Sequence, residues 1–336
     1  MKKNIKIMTS IFLTVFISTF AFTLKSSKSD KLYKSKAVVG FKSDKYLNEI
    51  ENLYKSDKDL DENIVKNKTK KTKEEKSSKN DEISKEIEKI IDEECKNLEG
   101  DWQVSVDSLK GNYKISIFKN SNSKKESLPA ASTIKIFIAL EAYRQVEEGV
   151  LDEKIVENDI YLMLRDSNNE STNRLIDLIG NNDMDSASKN VGDTIKKITG
   201  ENETGLYRKM LHEGKENLAR ANDLNMGLRD IYFGKFVNRD HSNKIMKAMA
   251  ENDSTSKFKL LGKLPQGARG LSKSGEIPNK GVENDIAIIG VGDEVFAISF
   301  LSKYPNPVSH GSGPQFDAMQ NLGQRITELF IKYNKN

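Results

Sequence analysis

Leu128-Pro-Ala-Ala-Ser-Thr-Ile-Lys-Ile-Phe-Ile-Ala-Leu140 decides how the rest of this chain is read. It sets Ser132 and Lys135 at the mouth of a helix. Pro129 stands just before the first turn, and the run from Ile134 to Leu140 predicts burial all round. Residues three apart share one helix face, so the Lys135 amine is expected beside the Ser132 hydroxyl. A serine alone is a poor nucleophile near neutral pH, whereas an adjacent amine that loses its proton on desolvation activates it. The start of a helix also offers unpaired backbone N–H groups and a positive dipole end, which favour an oxyanion forming there. A lone Ser-x-x-Lys is common by chance in a chain rich in both residues, so the residues downstream of it carry the decision.

Two more motifs lie there, in order. Arg165-Asp-Ser-Asn-Asn-Glu-Ser-Thr-Asn-Arg-Leu-Ile176 contains Ser167-x-Asn169, with Asn173 four residues beyond Asn169 and then Leu175 and Ile176. Leu271-Ser-Lys-Ser-Gly275 supplies a Lys-Ser-Gly, introduced by Leu264-Pro265. Two β-rich runs come after it, Ile286 to Ile289 and Val295 to Leu301, separated by Gly290-Val-Gly-Asp293 as in a hairpin. Ser-x-x-Lys, Ser-x-Asn and Lys-Ser/Thr-Gly in this order are the motif set of class A β-lactamases and penicillin-binding proteins. From about residue 84 to the C-terminus the chain resembles class A β-lactamases and their relatives among the penicillin-interacting serine enzymes. Asn168 stands where that family usually has Asp.

The resemblance implies a role for each matched residue. Ser132 would attack a strained or D-Ala-like amide carbonyl, and Lys135 would take its proton or help a neighbouring base do so. Ser167 would pass a proton to the leaving nitrogen, and Asn169 would bond the substrate's side-chain amide. Lys273 and Ser274 would bind the substrate carboxylate, with Lys273 adding positive potential that lowers the proton affinity of Lys135. Gly275 would let the substrate lie close to the strand. The backbone N–H groups of Ser132 and Glu276 would form the oxyanion hole.

There are departures too. The family carries a deacylating glutamate in a Glu-x-x-x-Asn setting after the second motif. If Leu206-Tyr-Arg208 is aligned with the family's Leu-x-Arg, that place falls on Met210. Glu213 and Asn217 do make a Glu-x-x-x-Asn, but without the preceding Arg-x, so Glu213 stands as the other candidate base. Only 35 residues separate Ser132 from Ser167, fewer than in typical class A enzymes.

Composition bounds the remainder. Lys2, Lys3 and Lys6 precede an uncharged run from Ile7 to Leu24, an export signal or a short membrane anchor. Residues 25–80 hold sixteen Lys and ten acidic residues with few apolar ones, which predicts a disordered linker. Of the formal net charge of +4, the first 24 residues carry +3 and the linker +6, leaving about −5 for residues 81–336. The basic balance therefore belongs to leader and linker, and no nucleic-acid partner is expected. Cys95 is the single cysteine, so an intramolecular disulfide is excluded. The three histidines, His212, His241 and His310, form no His-x-His pair, and no metal or other cofactor is expected.

A coarse reading gives a helix over Ile83–Leu98 and strands at Trp102–Val106 and Tyr113–Ile117 around a Lys110-Gly111-Asn112 turn. The Ser132 helix, a mostly helical middle, the hairpin and a last helix come next, the last with Phe316, Met319, Leu322, Ile326, Leu329 and Phe330 on one face. That order fits the α/β (α+β) fold of the resembled family, a five-stranded antiparallel sheet flanked by terminal helices with an all-helical lobe beside it. The leading expectation is a secreted or membrane-tethered serine β-lactamase, a monomer whose activity would give antibiotic resistance. The alternatives are a D,D-peptidase or β-lactam sensor that acylates and deacylates slowly, and a non-catalytic cell-wall protein on the same fold.

Overall fold

Apolar residues four apart, Ile83, Ile87 and Ile91, mark the buried stripe of the first helix, α1 (Lys71–Cys95). The computed structural model describes residues 71–121, 126–252 and 258–334. The apolar leader 7–24 and the segment 25–70 lie outside them. Among the described residues no helix is long and apolar enough to cross a membrane. Residues 71–80, assigned by composition to the linker, continue α1 as helical turns.

Strand β1 (Asp101–Lys110) and β2 (Ser116–Asn120) pair antiparallel, with Val106 opposite Ile117. Gly111 turns the chain between them at φ +122°, where a Cβ would fall within 2.5 Å of the Glu294 carboxylate. Three long strands, β5 (Ala268–Ile277), β6 (Val282–Val291) and β7 (Glu294–Lys303), complete an all-antiparallel sheet in the order β2-β1-β7-β6-β5. The expected hairpin is β6–β7, longer at both ends than its apolar runs suggest.

Two helices cover one sheet face, α1 and the last helix, α8 (Pro314–Asn334). Leu322, Ile326 and Phe330 meet Val104, Val106, Phe296 and Ile298 there, with Phe330 stacked on Phe296 at 4.9 Å between centroids. Tyr113 donates to the Tyr333 carbonyl (2.9 Å), and Arg325 ion-pairs with Glu93 and Glu94. Truncating a buried phenylalanine such as Phe330 to alanine costs about 3–5 kcal/mol.

The other face packs on the helical lobe. Its helices are α2 (Lys135–Glu147), α3 (Glu153–Arg165), α4 (Asn169–Gly180), α5 (Met184–Thr199), α6 (Ala221–Phe233) and α7 (Arg239–Ala250). Four begin at an acid or amide cap whose side chain accepts a backbone N–H: Asp152, Asn168, Asp183 and Asn238. Asn225 of α6 ties lobe to sheet, donating to Asp107 (2.7 Å) and accepting from Ser299 (2.6 Å). Every residue of α2 from Lys135 to Tyr143 is buried, the apolar run Ile136–Leu140 as expected and the charged Lys135 and Glu141 with it.

Candidate active site

Ser132 lies in a 3-10 turn, Ala131–Ile134, and the α-helix proper starts only at Lys135. The predicted helix start is thus one tight turn followed by α2. Pro129 is in a short strand, β3 (Leu128–Pro129), paired with β4 (Leu218–Ala219). The turn is held from several sides. Asn284 of β6 donates to the carbonyls of Pro129 (2.8 Å) and Ala130 (3.2 Å), and Thr133 Oγ1 donates to Ala130 O (2.7 Å). Ala131 sits at φ +48°, a left-handed conformation costing a non-glycine residue roughly 1–2 kcal/mol. Those surrounding bonds hold it there.

Lys135 opens α2 with its side chain fully buried. Its Nζ lies 2.8 Å from Ser167 O, 2.9 Å from Asn169 Oδ1 and 3.2 Å from Ser167 Oγ. Burial pushes its pKa well below the usual lysine value. The nearby Lys273 lowers it further, and Glu276 opposes both. Its amine is therefore surrounded by three oxygens, the Ser167 carbonyl, the Ser167 hydroxyl and the Asn169 side-chain carbonyl.

Ser167 reaches this place because of the cap beside it. Asn168 accepts from Ser171 N (2.8 Å) to start α4, and Ser167 before it adopts φ +55°. The substitution of Asn for the usual Asp therefore leaves a working helix cap. Lys273 of β5 donates to Ser167 Oγ (3.0 Å) and Ser274 O (2.8 Å). Burial lowers its pKa to about 8, against the pull of Glu276 and Asp285 and with the push of Lys259. Ser167 Oγ thus lies between two lysine amines, 3.2 Å from Lys135 Nζ and 3.0 Å from Lys273 Nζ.

β5 runs against the turn that carries Ser132. A Cβ on Gly275 would lie 2.8 Å from both Ala130 O and Ser132 N and 2.9 Å from Thr133 N. Only glycine allows this approach, which sets the two backbones that would form the oxyanion hole side by side. Lys135, Ser167, Asn169 and Lys273 are joined by hydrogen bonds, with Gly275 against Ser132. Three groups beneath this end lie outside the sequence motifs. Lys259, fully buried, lies 2.7 Å from both Glu276 Oε1 and Glu283 Oε2, and Leu260 N donates to buried Asp285 (3.1 Å). The run Glu283-Asn-Asp285 at the head of an otherwise apolar strand was the available signal.

The loop after α5 settles where the two candidate deacylation positions fall. Asn173 of α4 clasps Met210, donating from Nδ2 to its carbonyl (3.1 Å) and accepting from its N–H (2.7 Å). Met210 is buried under α4. Asn217 is turned inward, accepting from Tyr207 N (2.7 Å) and Arg208 N (3.0 Å) and donating to Arg208 O (3.1 Å). Glu213 lies exposed on the outer part of the loop.

Sheet order and helical lobe define a β-lactamase/transpeptidase-like fold, in which Lys135, Ser167, Asn169 and Lys273 form one hydrogen-bonded group and β5 lies against the backbone of Ser132. The sequence profile of the β-lactamase enzyme family matches residues 82–161 and 155–330, and the chain belongs to that family. Solved structures share the fold. A point mutant of PBP-A, an acyl-enzyme complex with penicillin G, superposes with a TM-score of 0.60 at 16% identity over 73% of this chain and 96% of that one. The β-lactamase of Sphaerobacter thermophilus gives 0.57 at 20% identity, over 74% and 96% of the two chains. The class A β-lactamase of Mycobacterium abscessus gives 0.57 at 19%, over 76% and 100%. No curated protein sequence matches the chain.

Proposed function

We propose that this protein is a serine acyl-enzyme that opens β-lactam or D-Ala-like amides at Ser132 and releases the acyl group slowly. The Ser132 Oγ–acyl bond forms as the amide C–N bond breaks. The serine proton passes to the free amine of Lys135 and reaches the leaving nitrogen through Ser167, whose hydroxyl Lys273 polarises from the other side. Asn169 and Ser274 hold the substrate, and the N–H groups of Ser132 and Glu276 receive the oxyanion. The apolar leader fits work on the outer side of the cytoplasmic membrane, where peptidoglycan and β-lactams are met.

The observation that favours slow release over fast turnover is the clasp of Asn173 on Met210. It fixes a thioether, which cannot activate water, at the aligned place of the family's deacylating glutamate. Glu213, the other candidate, is exposed. Met210→Glu should shorten the lifetime of the penicilloyl adduct at least tenfold, followed by intact mass after excess penicillin is removed. An adduct on the wild type already gone within seconds would replace this reading with that of a working β-lactamase.

A further inference from the structure

Asn284 of β6 stands directly opposite Gly275 of β5 in the sheet register. Paired residues on neighbouring strands present their side chains on the same face, about 5 Å apart. Gly275 has no side chain to present, so the Asn284 amide has that space to itself and reaches the turn that carries Ser132. Its Nδ2 donates to Pro129 O (2.8 Å) and Ala130 O (3.2 Å), while its Oδ1 accepts from Ser302 N of β7 (2.9 Å). These partners fix which way the amide faces, since the carbonyls need its NH2 and the backbone N–H needs its oxygen. The residue is fully buried.

The bonds act on the peptide planes just ahead of Ser132. Asn284 holds the carbonyls of the Pro129–Ala130 and Ala130–Ala131 peptides, each a planar unit. Ala130 is gripped at its other end too, because its N–H donates to Asn217 O (2.8 Å). Ala131 follows at φ +48°, a conformation that an alanine leaves for the right-handed region unless its neighbours are fixed. The direction of the Ser132 N–H depends on that one pair of dihedral angles. Relaxation of Ala131 would swing the Ser132 N–H away from the edge of β5, where the Glu276 N–H is its expected partner.

We infer that Asn284 is a positioning residue for the oxyanion hole, holding the Ser132 N–H in the direction that receives charge developing on the substrate carbonyl. This rests on the reading of Ser132 as the nucleophile. Fully buried, Asn284 acts through the backbone of the turn and not by contact with substrate. Through Ser302 it also ties the turn to β7, the central strand of the sheet.

The test compares the wild type with Asn284→Ala, which removes every side-chain bond, and Asn284→Asp, which keeps the shape and the acceptor for Ser302 N but loses the two donors. One readout is the limiting rate and half-saturating concentration for acylation of Ser132 by a cephalosporin. The other is the rate ratio between that compound and its thioxo analogue, in which sulfur replaces the β-lactam carbonyl oxygen. Sulfur is larger and a weaker acceptor, so an aligned pair of N–H groups discriminates against it. Corrected for hydroxide reactivity, the wild type should prefer oxygen. Each variant should lose roughly a hundredfold in limiting rate, the scale of one lost oxyanion donor, with half-saturation moving less than about threefold. The preference for oxygen should shrink at least tenfold. A variant that is slow with its preference intact overturns the inference, because a loosened fold lowers both rates alike. Variants that acylate as fast as the wild type overturn it as well. So does failure of both to fold, since the amide would then hold the whole fold and not one turn. A wild type with no preference for oxygen overturns it without any variant. A wild type that forms no adduct on Ser132 overturns the reading of Ser132 as the nucleophile, and the inference with it.

Discussion

Replacing Lys273 by Met removes one of the two amines that flank Ser167, and the pH profile of acylation should record it. In the proposed mechanism Lys135 takes the serine proton as a free amine, so acylation is expected to rise with pH as Lys135 loses its proton. The charge on Lys273 disfavours protonation of Lys135 and so lowers its pKa. Nζ of Lys135 is 3.2 Å and Nζ of Lys273 3.0 Å from the same hydroxyl oxygen, so the two nitrogens are no more than about 6 Å apart. At an effective dielectric constant near 20 two unit charges at that distance interact by about 2.8 kcal/mol, worth about two pH units. In Lys273→Met the Lys135 pKa rises, and the acid limb of the profile should move up by one to two pH units. The wild type has a second limb. Lys273 is an ammonium below about pH 8 and loses its proton above it, so wild-type acylation should fall as pH rises past about 8. That limb should be missing from the variant. The assay is stopped-flow or quenched mass labelling with a fixed penicillin concentration from pH 5 to 9. A general loss of rate does not disturb the reading, because the midpoints are independent of amplitude. An acid limb that stays in place, or moves to lower pH, would refute the electrostatic coupling.

Other expectations come from the same geometry. Gly275→Ala drives a methyl group against Ala130 O and Ser132 N at 2.8 Å, so it should cut acylation at least a hundredfold while the far-UV circular dichroism stays native; acylation within a factor of three would show that the strand can shift. Cys95, the last residue of α1, is buried in the core and burial pushes its thiol up to about 12, so in the native protein it should resist an aromatic disulfide reagent for hours at pH 8 and react within minutes once unfolded. Fast native labelling would mean that α1 opens from the sheet.

Much of this was legible in the chain. The period of Ile83 to Cys95, the alternation in β1 and the stripe of α8 are strong because each element buries a single face. The apolar residues of the β6–β7 hairpin predicted its position but not its length. Both strands extend into polar residues, Glu283-Asn-Asp285 and Ser302, that are buried by the sheet order. Motif residues far apart in sequence, Lys135, Ser167 and Lys273, could be named because their types and order are specific. The 3-10 turn at Ser132 was hidden, because what stabilises it is Asn284 from a strand about 150 residues away. Lys259 and its acidic partners were missed for the same reason. A lysine before Leu260 has no local signature, and its role appears only when β5 and β6 pair in register. The choice between Met210 and Glu213 was open in sequence, and the inward turns of Asn173 and Asn217 show which side chain the loop buries and which it leaves outside.

The most direct test of the central claim is intact mass of the full chain mixed with benzylpenicillin, followed from seconds to hours and mapped by peptide digestion. The expected result is a stoichiometric penicilloyl adduct on Ser132 that persists for many minutes and never forms in Ser132→Ala. An adduct on another residue, or one that still forms in Ser132→Ala, would contradict it.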